Sequence, residues 1–128
     1  MPTWPDDPSA LPPGSPLCDI DEIAEDSPTE VRVHDSPSAP SLLLFRLGGH
    51  VRCYVNLCPH FMLPLNAQPK SFLMMSDNRI MCAHHCAVFQ IEDGFCIDGP
   101  AKGACLEAVP VTISGSTVVI GDRADETS

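Results

Sequence analysis

The chain has 128 residues, which is enough for one small domain with a modest core. Its formal net charge of −10 disfavours nucleic acid as a partner, because the phosphates would repel an acidic protein. The longest apolar runs, such as residues 42–45, are far shorter than the roughly 20 residues that a membrane-spanning helix needs. We therefore expect a single domain that neither binds nucleic acid nor spans a membrane.

The acidic residues are concentrated in the first part of the chain. Residues 1–40 hold nine Asp and Glu side chains against one basic residue, Arg32, whereas residues 41–121 hold five of each sign. Residues 1–16 also hold six of the fourteen prolines, a composition that cannot bury enough apolar surface to become ordered. We predict a disordered tail over residues 1–16, a folded domain over residues 17–121 and a flexible tail over residues 122–128. The acidic excess either aids solubility or steers a basic partner.

The number of cysteines, seven, indicates whether the protein belongs to an oxidising or a reducing cell compartment. An odd number would suit a disulfide framework only in an oxidising environment. The stretch "MPTWPDDPSA" at residues 1–10 has neither the basic region nor the apolar region of a secretory signal. We therefore expect reduced thiols and a cytoplasmic location.

From residue 17 onward, short apolar segments alternate with turn residues and predict strands. The first two are "LCDI" at residues 17–20 and "TEVRVH" at residues 29–34, with one short helical turn near residues 21–24. The strongest hairpin signal joins "SLLLFRL" to "HVRCYVNL" through Gly48 and Gly49, because paired glycines readily take the positive φ of tight reversals. Further reversals are predicted at three sites, residues 76–78, 93–94 and 115–116. No window has a 3.6-residue apolar period, so the chain is predicted to be mostly β.

Two of the predicted loops each carry a cysteine and a histidine. Cys58 and His60 follow the second arm of the central hairpin, and "CAHHC" occupies residues 82–86. Thiolates and imidazoles are ligands for zinc or for an iron–sulfur cluster. Zinc sites usually pair Cys with Cys and His with His over short spacings, whereas each loop here contributes one of each. Mixed loops suit a two-iron cluster in which two thiolates bind one iron and two imidazoles bind the other.

The pattern resembles that of the Rieske-type [2Fe–2S] ferredoxins. It consists of Cys58-Pro59-His60, 21 intervening residues and Cys82-Ala83-His84-His85. The stretch "EDGFCIDGPAKGACLEAVPV" at residues 92–111 also resembles the glycine turn and the Gly-Pro loop of that family. The resemblance implies an all-β fold, a sandwich or barrel base with an inserted cluster-binding subdomain of two loops. It also implies one [2Fe–2S] cluster per chain, with the ligands Cys58, His60, Cys82 and His85.

Two residues of the second motif stand outside this ligand set. His84 is interpreted as a bystander, because adjacent side chains on an extended loop point in opposite directions. Cys86 stands where the family usually has glycine, and is interpreted as a small buried side chain. Leu63 and His84 occupy the positions at which high-potential Rieske proteins carry a disulfide, so that bridge cannot form. The resemblance is therefore to the soluble ferredoxins.

The resemblance implies a one-electron carrier, the electron-transfer component of an oxidoreductase system. Its expected partners are a flavin-dependent reductase, which supplies the electrons, and a terminal oxygenase, which receives them. Two other functions stay open: the small subunit of an assimilatory nitrite reductase, and a metal-stabilised, redox-sensing interaction module with Cys86 as its reactive thiol. Outside the ligand motifs the sequence has no acid–base or nucleophilic constellation, so no catalytic residue is predicted.

Overall fold

The fold is built almost entirely from antiparallel β-strands. The computed structural model describes residues 14–23, 28–32, 41–47, 50–57, 65, 73–75, 78–82, 87–99 and 102–121. In this part of the chain the only helical element is the 3₁₀ turn Ile20–Glu22, and no helix is long and apolar enough to cross a membrane. The strands are β1 (Pro16–Asp19), β2 (Thr29–Val31), β3 (Leu42–Leu47), β4 (His50–Val55), β5 (Leu73–Met75), β6 (Arg79–Met81), β7 (Val88–Gln90), β8 (Cys96–Asp98), β9 (Val111–Ser114) and β10 (Thr117–Ile120).

The strands form three sheets. Their orders are β1-β10-β9, β2-β3-β4 and β5-β6-β7-β8, and every pair is antiparallel. The central hairpin predicted from "SLLLFRL" and "HVRCYVNL" is confirmed, with Leu42 opposite Val55 and Leu47 opposite His50. The glycine pair between its arms, residues 48–49, lies outside the described residues. The prediction of an all-β fold is confirmed.

The sheet β2-β3-β4 separates two hydrophobic cores, because successive side chains of a strand point to opposite faces. The core that we call the first core joins this sheet to β5-β6-β7-β8; its members are Leu43, Phe45, Tyr54, Leu65, Ile80, Cys82, Ala87, Phe89, Ile91, Cys96 and Leu106. The second core joins the same sheet to β1-β10-β9; its members are Ile23, Leu42, Leu44, Cys53, Val55, Val109, Val118 and Ile120. Residues 42–45 of β3 and 53–55 of β4 are therefore buried on both faces.

The predicted turns are found where their residues allow positive φ. Asn78 between β5 and β6 has a φ of 57°, Gly94 between β7 and β8 has 75°, and Gly115 between β9 and β10 has 66°. Glycine takes such values without steric cost, and asparagine tolerates them better than most residues do. The helical turn predicted near residues 21–24 is the 3₁₀ turn, which begins one residue earlier, at Ile20.

The inner edge of the predicted N-terminal tail needs correction. β1 begins at Pro16, the Gly14 N–H donates to the Ile120 carbonyl at 2.7 Å, and the Ile120 N–H donates to the Ser15 carbonyl at 2.8 Å. Pro16 therefore belongs to the sheet, and Gly14 and Ser15 are bonded to its last strand, since main-chain pairing outweighs a proline-rich composition there. The rest of the predicted tails, residues 1–13 and 122–128, lies outside the described residues and stays a prediction.

We predict that Gly94→Ala destabilises the fold more than Gly115→Ala does. A Cβ atom at Gly94 would lie 2.8 Å from Tyr54 Cε1 and 3.3 Å from Leu106 Cβ, whereas one at Gly115 would meet nothing within 4 Å. Both variants carry the penalty of positive φ, but only Gly94→Ala overpacks a core, so it should lose about 1–3 kcal/mol more unfolding free energy. Urea denaturation of the two variants measures the difference, and equal losses would contradict the steric explanation.

Candidate metal centre

The structure describes one of the four ligands that the sequence implies. Cys82 is described, whereas Cys58, His60 and His85 lie outside the described residues, together with the neighbouring residues 84 and 86. Accordingly, the described ranges alone contain no group of three or more His, Cys, Asp and Glu side chains able to hold a metal ion. The structure does define the residues that flank two segments, which we call the first ligand segment (residues 57–64) and the second ligand segment (residues 83–86).

The second ligand segment lies between β6 and β7. These strands are paired with Met81 opposite Val88, and the Cys82 N–H donates to the Ala87 carbonyl at 2.7 Å. This bond joins the two residues that flank residues 83–86, the part of the motif that contains His85. The pairing of β6 with β7 thus places Cys82 directly after β6, at the start of the connection that contains His85.

The Cys82 side chain is buried in the first core with 0 % exposure. Among the described residues its thiol has no hydrogen-bond partner, whereas the equally buried Cys96 thiol donates to the Asp98 carbonyl at 3.1 Å. A sulfur ligand shielded from water at the end of a loop suits a soft metal centre, since no solvent molecule competes for the metal. The described part of the donor set therefore fits the cluster that the motif implies.

The first ligand segment leaves β4 through Asn56 and returns at Leu65. Asn56 is 2 % exposed; its main-chain N–H donates to the Ser41 carbonyl at 2.9 Å, and its Oδ1 accepts a hydrogen bond from the Leu65 N–H at 2.9 Å. The residues on either side of residues 57–64, which include Cys58 and His60, are thereby held together.

Both ligand segments are anchored in the same core. Leu65 follows the first segment, Cys82 precedes the second and Ala87 follows it, and all three are 0 % exposed members of the first core. One end of the first segment and both ends of the second therefore meet in one packed cluster, as a single site with ligands from both requires. Leu57, the first residue of the first segment, packs against the second core, so this segment leads from the second core to Leu65 in the first.

The other cysteines that the structure describes lie in or near the hydrophobic cores, or at the surface. Cys53 lies in the second core, where burial raises the pKa of its thiol well above the usual range. Burial also raises the pKa of Cys18, and the nearby Glu22 and Asp19 carboxylates add to the effect. Cys105 is exposed. Cys18, Cys53 and Cys96 therefore pack in or against the two cores, and Cys105 lies at the surface.

Sequence reasoning missed the residue that closes the first segment. Asn56 stands between the apolar strand β4 and Cys58, in the stretch "YVNLCPH". A polar side chain at a position that continues a strand buried on both faces is the available signal, because such a group must find hydrogen-bond partners inside the protein. Its partners, Glu30, Ser41 and Leu65, lie elsewhere in the chain and could not be read from that stretch.

Comparison with known proteins gives the family. The family model of the Rieske [2Fe-2S] domain matches residues 15–118, which is most of the chain and includes both ligand motifs. The chain belongs to this family, whose domain binds a [2Fe–2S] cluster. The family and cofactor predictions are confirmed, whereas the four individual ligands stay a prediction. No curated protein matches the sequence significantly.

Solved structures show the same fold. A ferredoxin from Sphingomonas yanoikuyae B1 matches with a TM-score of 0.65 and 24 % identity, over 84 % of this chain and 96 % of that chain. The reduced complex between oxygenase and ferredoxin in carbazole 1,9a-dioxygenase matches with a TM-score of 0.68 and 24 % identity, over 84 % of this chain and 28 % of that chain. The terminal oxygenase of carbazole 1,9a-dioxygenase from Nocardioides aromaticivorans IC177 matches with a TM-score of 0.64 and 22 % identity, over 85 % and 30 %. This chain thus spans nearly all of the ferredoxin but less than a third of the matched dioxygenase chains.

Proposed function

We propose that this protein is a one-electron carrier that delivers electrons to the terminal oxygenase of a dioxygenase system. The observation that carries the proposal is the extent of the match to the Sphingomonas ferredoxin, which includes 84 % of this chain and 96 % of the ferredoxin. The likeness to the complex between oxygenase and ferredoxin in carbazole 1,9a-dioxygenase supports the choice of a terminal oxygenase as the acceptor. No acid–base or nucleophilic constellation competes with this function in the sequence.

We propose Cys58, His60, Cys82 and His85 as the cluster ligands. When bound, the cluster takes up and releases one electron; two imidazoles in place of two thiolates raise its potential to about −150 to +300 mV, against roughly −400 mV for four-cysteine plant-type ferredoxins. The burial of Cys82 supports its role, because the core excludes water from the sulfur. The shared core beneath both segments supports a single site.

A flavin-dependent reductase is proposed as the electron donor. The acidic excess of residues 1–40 supports a partner with a basic docking surface, since opposite charges raise the rate of association between proteins. Residues 41–121 carry equal numbers of acidic and basic side chains, so the asymmetry comes from the N-terminal part of the chain.

The cofactor assignment predicts the metal content. Protein purified without exposure to oxygen should contain iron and acid-labile sulfide in equal amounts, because the cluster is made of both. Elemental analysis, sulfide determination and the electron paramagnetic resonance (EPR) spectrum of the dithionite-reduced protein measure this. Zinc without sulfide would instead support the metal-stabilised interaction module.

The ligand assignment predicts opposite results for two matched pairs of variants. Cys82→Ser and His85→Ala should lose the Rieske-type spectrum, because each removes a proposed ligand. Cys96→Ser and His84→Ala should keep iron and sulfide close to the wild-type amounts. Cys82 and Cys96 are both 0 % exposed in the first core, so the cysteine pair separates metal ligation from burial. Cluster loss in His84→Ala with retention in His85→Ala would contradict the ligand register.

Electron delivery predicts that the reduced protein is reoxidised by an oxidised terminal oxygenase. When the two proteins are mixed without oxygen in a stopped-flow instrument, one electron should be transferred per chain. The absorbance changes of the carrier and of the oxygenase measure this transfer. The terminal oxygenases of several dioxygenase systems, including carbazole 1,9a-dioxygenase, serve as acceptors, and Cys82→Ser serves as the control. Electron transfer to a nitrite-reducing subunit but to none of the oxygenases would contradict the proposal.

A further inference from the structure

Three side chains from the central sheet form a hydrogen-bond network beside the first ligand segment. Glu30 lies in β2, Ser41 immediately precedes β3, and Asn56 immediately follows β4. The Ser41 hydroxyl donates to Glu30 Oε2 at 2.5 Å, and Asn56 Nδ2 donates to Ser41 Oγ at 3.1 Å and to Glu30 Oε2 at 3.4 Å. Ser41 and Asn56 are buried and Glu30 is half-buried.

The network fixes which way the Asn56 amide faces. An ionised Glu30 carboxylate can only accept hydrogen bonds, and the Ser41 hydroxyl has already given its hydrogen to that carboxylate. Both groups therefore face Asn56 as acceptors, so the amide must turn its NH₂ group toward them. Its carbonyl oxygen is then directed away from the pair, where it accepts the Leu65 N–H at 2.9 Å.

The two ligand segments are thus closed in different ways. The second is closed by a main-chain bond between Cys82 and Ala87, which residues of almost any type could make. The first spans eight residues, 57–64, and in the described structure its ends are joined through one side chain, Asn56. Because Leu65 is 0 % exposed, no solvent water is available to replace a lost amide oxygen.

We propose that Asn56 is a positioning residue for the cluster and that Glu30 and Ser41 orient it. By holding Leu65, Asn56 sets the separation and direction of both ends of the segment that carries Cys58 and His60, and so pre-organises these ligands. The inference rests on the ligand set proposed above. It assigns the network a role in holding the cluster, in addition to its contribution to the fold.

Exchanging the carboxylate and the amide tests the geometry. Asn56→Asp places a second carboxylate against Glu30 and removes the NH₂ donor, so the two acidic groups repel each other. Adding Glu30→Gln returns one amide and one carboxylate to the pair, with the donor now on residue 30 and an acceptor still available for the Leu65 N–H. The double variant should therefore restore what Asn56→Asp loses.

The readouts are the rate of cluster loss in the presence of an iron chelator, the EPR line shape of the reduced protein and the midpoint potential at one fixed pH. We expect Asn56→Asp to lose the cluster about tenfold faster or more, as expected when a buried hydrogen-bond partner is removed. Its EPR line shape and potential should also change, and the double variant should come within about twofold of the wild-type rate. If Asn56→Asp does not fold, Ser41→Ala should produce a change in the same direction but of smaller size.

The control is Val118→Ala, which removes buried volume from the second core and leaves the network intact. It should lower the unfolding free energy but retain the wild-type EPR line shape and potential. If Val118→Ala shifts both signals as much as Asn56→Asp does, or if the double variant gives no recovery, the positioning role is wrong while the proposed function stands. A wild-type protein without a cluster would overturn both.

Discussion

The two-sided burial of the central hairpin is the constraint on which the rest of the structure depends. In β3 and β4, alternate side chains enter the first core and the second core, so residues 42–45 and 53–55 are covered on both faces of the sheet. A register slip of one residue in β3 would place Leu42 and Leu44 in the first core and Leu43 and Phe45 in the second. The pairing is therefore strongly specified. Because the first ligand segment continues directly from β4, its starting point is as well defined as the hairpin itself.

Local chemistry made most of the fold predictable. The reversals at Asn78, Gly94 and Gly115 could be read from the sequence, because each needs a residue that tolerates positive φ and has such a residue. The contacts that could not be predicted join distant parts of the chain. Asn56 and Glu30 are separated by 26 residues, and Gly14 bonds to Ile120. Nothing in the composition of residues 1–16 indicates that the last three of them pair with the final strand.

At the candidate site, too, the type of residue could be predicted from the sequence, whereas the residues around it in the fold could not. The Cys-x-His and Cys-x-x-His spacings indicated the metal chemistry and the family, since ligand type and spacing are properties of the sequence. Burial alone does not distinguish Cys82 as the ligand candidate, because Cys96 is equally buried in the same core. The two cysteines differ in position. Cys82 directly follows β6 and precedes residues 83–86, whereas Cys96 lies in β8, where its thiol donates a hydrogen bond to the Asp98 carbonyl. A ligand is thus recognised by spacing, whereas the groups that support it are recognised only by three-dimensional contacts.

The pairing of β1 with β10 brings the two ends of the described fold side by side. The Gly14 N–H bonds to the carbonyl of Ile120, so a chain that enters the domain at residue 14 leaves it at residue 121 only a few ångströms away. A domain with adjacent ends can be spliced into a longer polypeptide without opening a sheet. The same architecture is accordingly able to serve as a free-standing unit of the size of the Sphingomonas ferredoxin, and to form less than a third of a much longer dioxygenase chain.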